Sequence, residues 1–403
     1  MKSYKITDGI YWVGTIDYDL RVFDIIMDTE FGTSYNSYLI VGNEKTALID
    51  TAKEPFEQEF FERINDIIDV KNIDYLIVNH AEPDHSGCVE YVLEQNPNIE
   101  IYGSVPAFMN LKEIVNNSNF KFHKVKEGET LDLGNKTLEF TLQPNLHWPD
   151  TMFTYLKEDN ILFTCDFFGA HYAFDGVISS SLKNTNDYDR SLKEYFDAIM
   201  SPFIPSVRRG INKVKEYNPN IIATSHGAVL EKNYIDKTIG LYDSWAVEHK
   251  NELPLVVIPF ASAYNYTRTM AQIIKQAIEE EFNNKVKVEL HDLISADIDE
   301  VVKRIKQSDG FLIGSATIVR DTVESVWEIL AKLNYEVLKG KIATAFGSYG
   351  WSGEAVDNII QRLEQLKMKP LPGLKIKFKP SESQEQEILE FGRKFAKELK
   401  KIL

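Results

Sequence analysis

The sequence predicts an α/β protein of two domains, packed sheets flanked by helices followed by a doubly wound parallel sheet. Three observations carry that expectation. Residues 1–250 contain many short apolar runs of strand character, several of which arrive before any helix. Residues 254–403 alternate strictly between strand and helix. The join near Asn251–Pro254 is short and carries no Gly/Ser linker.

In the first part the strand candidates are YNSYLIV (35–41), KTALID (45–50), DYLIVNH (74–80), TLEFTL (137–142), ILFTCD (161–166) and NIIATSH (220–226). Helical stretches such as PFEQEFFERINDII (55–68) and SLKEYFDAIM (191–200) lie between them, the latter inside a continuous run of helix candidates from Asp187 to about Lys215. In the second part LPLVVIPF (253–260) is a buried strand and Thr267 to Phe282 an amphipathic helix. KVKVELHDL (285–293), GFLIGS (310–315), KIATAFGS (341–348) and LKIKF (374–378) are further strands. Helices over Asp297–Gln307, Thr322–Leu333, Glu354–Leu366 and Ser383–Leu399 separate and close them. Five β/α units in about 150 residues imply a flavodoxin-like sheet.

Composition narrows the function. The chain has 403 residues, 43% of them hydrophobic, enough for two or three cored domains. Its 45 Lys and Arg against 61 Asp and Glu leave a formal charge of −16. That balance disfavours nucleic acid as a partner, since phosphate backbones are held by clustered cations. It also speaks against an anionic membrane surface. No apolar stretch approaches the ~18 residues of a membrane-spanning helix, and the start lacks a signal-peptide core. The only cysteines, Cys88 and Cys165, form no CxxC pair, which disfavours disulfides, Cys-ligated zinc and iron–sulfur clusters. A soluble, cytoplasmic protein is expected.

Potential metal ligands gather where apolar runs end. His80-Ala81-Glu82-Pro83-Asp84-His85 follows one strand and precedes the helix candidate SGCVEYVLEQ. Four potential ligands in six residues cannot all point one way in a regular helix or strand, whereas a loop at a strand end can converge them. The plainer alternative is a charged surface loop with Asp84 or Ser86 capping the helix. That alternative does not account for His147 in NLHWPD, Asp166 after ILFTC and His226 after IIATS, which read as three further strand ends. Seven ligands exceed one tetrahedral ion and suit two ions sharing a bridge. Imidazoles with three carboxylates and no thiolate suit iron or manganese.

This HxExDH run, with a distant His, Asp and His, resembles the metallo-β-lactamase fold in its flavodiiron form. Hydrolases of that fold carry HxHxDH, and Glu82 replaces the second histidine here. The resemblance implies an αββα sandwich and two iron ions. It also implies that His80, Glu82 and His147 bind one iron, that Asp84, His85 and His226 bind the other, and that Asp166 bridges them. Tyr195 resembles a family tyrosine that donates a hydrogen bond to metal-bound substrate, with core packing as the alternative. Trp148 either walls the substrate pocket or packs in the core. His171 is a supporting or a structural histidine, and His123, His249 and His291 read as structural or solvated. Asp24 departs from a pocket histidine that many members carry near this position.

Three loops at strand ends of the second domain point to a flavin. Ser262-Ala263-Tyr264-Asn265-Tyr266-Thr267 offers hydroxyls and backbone N–H groups at a helix start, a phosphate cradle. It resembles the flavodoxin pattern S/T-x-T-G-x-T, with Asn265 in the glycine position. Ala316-Thr317-Ile318-Val319 is placed to border the ring, and Ser348-Tyr349-Gly350-Trp351-Ser352-Gly353 lets backbone approach it while an aromatic covers a face. FMN is the implied cofactor. No GxGxxG opens a nucleotide-binding domain of the NAD type.

A flavin carrier joined to a diiron centre reads as a reductase of a diatomic molecule. Dioxygen reduction to water takes four electrons, two from the irons and two from FMN, and nitric oxide reduction to nitrous oxide takes two. Dioxygen is favoured. A hydrolase carrying a flavodoxin module and a pure electron carrier are the alternatives. With two cysteines no rubredoxin is fused, so the electrons would come from a separate rubredoxin or a reduced deazaflavin coenzyme. The resemblance further implies a head-to-tail homodimer, or a homotetramer of such dimers.

Overall fold

The structure is a computed structural model and describes residues 2–25, 27–247 and 251–403. The expected first-domain end at 250, and His249, lie outside the described residues. The chain divides into two units, 1–248 and 249–403.

The first unit holds two large mixed sheets. One orders its seven strands as Tyr4–Thr7, Ile10–Trp12, Tyr38–Val41, Thr46–Ile49, Tyr75–Val78, Glu100–Gly103 and Lys121–Lys124. The other orders six as Thr130–Asp132, Thr137–Leu142, Met152–Leu156, Ile161–Cys165, Ile221–Thr224 and Leu230–Glu231. Side chains alternate faces along a strand, and the two faces go to different cores. Tyr38, Ile40, Ala47, Ile49 and Ile77 meet Leu138, Phe140, Met152, Ile161 and Phe163 between the sheets. Leu39, Leu48, Leu76 and Val78 turn the other way, onto Phe60, Phe61, Val89, Val92 and Leu111 of the helices Glu57–Asn65, Val89–Gln95 and Val105–Ile114. Phe153, Leu162 and Ile222 likewise face Tyr188, Leu192, Val207 and Tyr242 of the helices Thr185–Tyr195, Ile204–Tyr217 and Lys232–Trp245. The result is the four-layer αββα sandwich of the metallo-β-lactamase fold.

Several local expectations are corrected. The strand expected over 35–41 is split into Thr33–Tyr35 and Tyr38–Val41. Asn36 leaves the ladder because its amide accepts from Trp12 Nε1 at 2.8 Å and donates to the carbonyls of Thr224 and Gly227 at 2.8 and 3.0 Å. The continuous helical run is broken as well. A π-turn over Phe196–Met200 and a 3₁₀ turn over Ser201–Phe203 intervene, because Pro202 and Pro205 lack the N–H groups that would continue the ladder.

The second unit is one parallel five-stranded sheet. Its order is Lys287–Asp292, Leu255–Ala261, Gly310–Ser315, Ile342–Tyr349, Leu374–Lys377. In chain order that is 2-1-3-4-5, the flavodoxin-like arrangement, whose switch point lies between the first and third strands. The strand Leu255–Ala261 is buried at every position, because Leu255 and Val257 enter one core and Val256, Ile258 and Phe260 the other. Both faces are covered by helices, which is why its sequence is continuously apolar.

Candidate metal centre and flavin cavity

The His80–His85 run begins where the strand Tyr75–Val78 ends, at a point where the two sheets are tied together. Asn79 N donates to Asp50 Oδ1 at 2.7 Å, Asn79 Oδ1 accepts from the Thr154 hydroxyl at 2.6 Å, and Met152 N donates to Asn79 O at 2.9 Å. Glu82 is extended, but Pro83–Ser86 forms a helical turn with proline at its first position. The run is therefore not the plain loop expected from the sequence. Asp84 and Ser86 do not act as helix caps either, since Glu82 precedes the turn, Cys88 precedes the next helix, and Asp84 is buried. His147 stands in the connection between Thr137–Leu142 and Met152–Leu156, five residues past the strand end, while Asp166 follows Ile161–Cys165 directly. His226 follows Ile221–Thr224, and the backbone turns there on Gly227, whose φ is +75° and where a Cβ would stand 2.7 Å from Ala170 O.

The structure brings all seven residues together. In each of two groups, His80, Glu82, His147 and Asp166, then Asp84, His85 and His226, one ligand-type atom per residue lies within 4.8 Å of all the others. Asp166 stands between the groups. Its Oδ2 is 3.6 Å from His80 Nε2 and 3.7 Å from His147 Nε2, while its Oδ1 is 3.0 Å from His85 Nε2 and 3.4 Å from His226 Nε2. Cys165 also lies beside His85 and Asp166, but burial pushes its thiol well above the usual range, so it stays protonated.

Outer partners fix the rings. Asp150, fully buried, accepts from His80 Nδ1 at 3.1 Å and from Ala81 N at 2.7 Å. His226 Nδ1 donates to Ser34 O at 2.7 Å, which leaves its Nε2 lone pair facing Asp84 at 3.1 Å. Asp150 and Ser34 were not picked out from the sequence. Asp150 is 70 residues from His80, and no local spacing signals such a pair.

The electrostatics ask for cations. Both Asp84 carboxylate oxygens, Asp166 Oδ2 and both ring nitrogens of His85 are buried without a hydrogen-bond partner. Such groups are costly to bury unless something ligates them. Against burial, the Asp150 and Glu82 carboxylates hold the His80 imidazole well above its ordinary value. Against burial again, Asp84 and Asp166 raise His85 to about 10. Burial opposes ionisation of Asp166 too, yet His85 and His80 keep its carboxyl well below the usual range. The rings hold protons where metal ions would otherwise supply the charge, so this donor set fits a pair of cations.

Around the cluster, the Tyr195 hydroxyl is buried and donates to Asp166 Oδ1 at 3.0 Å. Trp148, half-buried, sets its ring edge-on to His80 with centroids 5.0 Å apart. His171 Nδ1 bonds the Thr33 hydroxyl at 2.8 Å, and its ring lies 4.8 Å from that of His226. Asp24 is exposed, with φ of 47°, and its carboxyl is pushed up to about 6 by partial burial and by the carboxylates of Glu82 and Asp84. Outside the cluster, His123 Nε2 pairs with Glu129 at 2.5 Å, and His291 approaches Glu289 at 3.4 Å.

The second unit carries a cavity of about 530 Å³ at the switch point. Ala263, Tyr264, Tyr266, Ala316, Thr317, Ile318, Ser348, Tyr349, Gly350, Trp351 and Ser352 line it. Ser262, Asn265, Thr267 and Gly353 do not line the wall. Thr267 is fully buried with its hydroxyl 2.9 Å from that of Ser348, and Ser262 Oγ accepts from Arg268 N at 3.3 Å. Asn265 precedes the helix Tyr266–Glu281 with φ of 62°, the left-handed geometry that a glycine would otherwise supply, and Gly353 precedes the helix Glu354–Gln365. Val319, Arg320 and Phe378 complete the lining. Arg320 and Phe378 had no motif to reveal them.

Fold and sites together define a class: a redox protein that joins a β-lactamase-like metal domain to a flavin domain. A family model described as ODP family beta lactamase matches residues 33–227, and a flavodoxin model matches residues 258–392. A flavo-diiron protein of Clostridium acetobutylicum is 40% identical over 402 residues, covering 99% of this chain and 100% of that one. An anaerobic nitric oxide reductase flavorubredoxin of Pectobacterium atrosepticum is 35% identical, over 98% of this chain and 77% of that one. Among solved structures, rubredoxin oxygen:oxidoreductase from Desulfovibrio gigas superposes with a TM-score of 0.69 at 27% identity, covering 99% of each chain. The chain belongs to the flavodiiron protein family. It is accordingly an oxidoreductase of FMN and a non-haem iron pair. No helix among the described residues is long and apolar enough to cross a membrane.

Proposed function

We propose that the chain reduces dioxygen to water, with nitric oxide as the second substrate. His80, Glu82 and His147 would hold one iron and Asp84, His85 and His226 the other, with Asp166 shared between them. The observation that carries this reading is Asp166, whose two oxygens face the two groups amid buried, unpartnered ligand atoms. When bound, FMN relays two electrons and the iron pair stores two more at the place where the diatomic molecule binds.

The protein's part is positioning. Asp150 and the Ser34 carbonyl hold the Nδ1 atoms of His80 and His226, so that each ring presents Nε2 inward. Tyr195 holds Asp166 in place and would be the side chain to supply a proton beside the metal pair. Trp148 screens the His80 side. Burial raises the Tyr195 hydroxyl well above its ordinary value, so the proton stays available at neutral pH.

The donor in this reading is a separate rubredoxin or a reduced deazaflavin coenzyme, with the head-to-tail homodimer, or a homotetramer of such dimers, as the working unit. The rubredoxin-linked name of the Desulfovibrio relative supports the first donor. Metal and flavin analysis tests the cofactors: two irons and one FMN per chain are expected, whereas zinc without flavin would support the hydrolase alternative. Anaerobic reduction followed by mixing with dioxygen or nitric oxide then tests the substrate, with faster reoxidation by dioxygen expected. Removing Leu253 to Leu403 should leave an iron-binding domain that no longer turns over with the donor. For the dimer, mixing an Asp166→Asn subunit with one whose FMN loop is blocked by a bulky side chain, Thr267→Trp, and shown to hold no FMN, should restore activity, and verified heterodimers without activity would refute transfer between chains.

A further inference from the structure

Of the residues lining the flavin cavity only Arg320 is charged, in a chain of formal charge −16. It shares the tip of a tight turn with Val319. Ile318 N donates to Asp321 O and Asp321 N to Ile318 O, each at 3.0 Å. The two tip residues have φ of 49° and 64°. Two successive positive φ values make the turn type I′, which favours Asn-Gly. A β-branched residue is strained there, and such strain persists only where the surroundings enforce it.

The surroundings do enforce it. The Asp321 carboxylate accepts from Thr322 N and Asn358 Nδ2 at 2.7 Å and from Trp327 Nε1 at 3.2 Å, and the Thr322 hydroxyl donates to Ser315 at 2.6 Å. Those donors also occupy the nearest carboxylate. Arg320 makes no hydrogen bond or ion pair with any described residue. A strained, anchored turn thus places an exposed, unpaired arginine at the wall of an otherwise uncharged cavity. The turn's conformation does not call for an arginine, so the cavity is the better explanation for the side chain.

We propose that Arg320 tunes the flavin, its guanidinium stabilising the negative charge that the FMN ring carries after two-electron reduction. The inference rests on FMN occupying this cavity. Two electrons from the external donor and one proton at ring nitrogen N5 convert the neutral oxidised ring into an anion, and no bond to the protein forms. Arg320 is exposed, so water screens part of the attraction, but a cation at the cavity wall still favours the anionic ring over the neutral one. Reduced FMN is therefore bound more tightly than oxidised FMN, and the midpoint potential rises. A contact with the FMN phosphate would instead favour both oxidation states equally.

The test uses the full-length protein loaded with FMN and iron, with Arg320→Gln and Arg320→Lys variants. Oxidised FMN affinity is read by fluorescence quenching, and the midpoint by anaerobic dithionite titration. Arg320→Gln should leave oxidised FMN binding within about threefold while weakening reduced FMN about tenfold, a midpoint drop of about 30 mV for a two-electron couple. Arg320→Lys should keep most of the potential. Equal weakening of both oxidation states with an unchanged midpoint would make Arg320 a phosphate or wall contact and overturn the proposal. An equal drop in the Lys and Gln variants would overturn it too, since the charge would not matter. Failure of the unaltered protein to retain FMN would overturn the cavity's flavin reading itself, before any variant is compared.

Discussion

The metal cluster and the flavin cavity solve opposite problems. Asp166 and His226 are each 1% exposed, whereas Tyr264 and Trp351 at the cavity rim are 79% and 80% exposed. The cluster gathers charge in a largely buried place, so its residues must be held rigidly and neutralised by cations. Both sheets of the sandwich contribute to that rigidity, through Asn79, Asn36 and Asp150. The cavity is built from loops at one end of a single sheet, and apolar side chains there remain in contact with water. A buried charged site is thus specified by long-range cross-links, and an open apolar one by local loop chemistry.

That contrast can be broken by substitution, and the largest effect is expected in the cluster. Asp166→Asn removes a charge facing both groups, so iron affinity should fall more than about 100-fold while FMN is retained, as metal and flavin analysis would read. Full iron occupancy would remove Asp166 from the bridge. Asp150→Asn leaves the seven residues intact but frees the His80 ring, and iron affinity should fall about 10- to 100-fold. An unchanged affinity would mean that the sandwich alone fixes that ring.

In the second unit smaller losses are expected, because single hydrogen bonds carry less. Thr267→Ala removes the bond to Ser348, and FMN affinity should weaken by less than about tenfold with iron unchanged, measured by equilibrium dialysis. Any loss of iron would break the separation between the sites. The smallest effect concerns stability alone. Arg304 grips Glu289 through both oxygens, at 2.9 and 2.7 Å, and with Lys287 holds its carboxyl at about 2. The folded value lies below the unfolded one, so this stabilisation is complete above about pH 4.5 and is lost as pH falls towards 2. After solvent screening it contributes ~1 kcal/mol. Thermal melts of Glu289→Gln should converge with those of the unaltered protein as pH falls through that window, and a constant offset would refute the assignment.

Much of this molecule was legible in local pattern. Strand–helix alternation after Pro254 announces a doubly wound sheet, because a strand buried on both faces must be apolar throughout. HxExDH announces a metal cluster because four potential ligands in six residues cannot all point one way in a regular helix or strand, and further ligand-type residues follow other strands. The loop beginning at Ser262 is readable because hydroxyls at a helix start have a backbone reason to be there. Where sequence expectations were corrected, the competing force at Asn36 was a contact with a distant segment, and at Pro83–Ser86 it was a proline suited to open a helical turn.

Periodicity and ligand chemistry, which act within a few positions, determined the doubly wound sheet and the residue types gathered at each site, while the sandwich, the iron pair and the FMN followed from the family resemblance that those motifs carry. Only the tertiary structure decided that Asp150 steers a ring 70 residues away, that the Ser34 carbonyl holds His226, and that Arg320 is the single charge at the flavin cavity wall. Those facts depend on where separate chain segments meet, and hydrophobic burial across sheets sets that meeting without leaving a mark on local spacing.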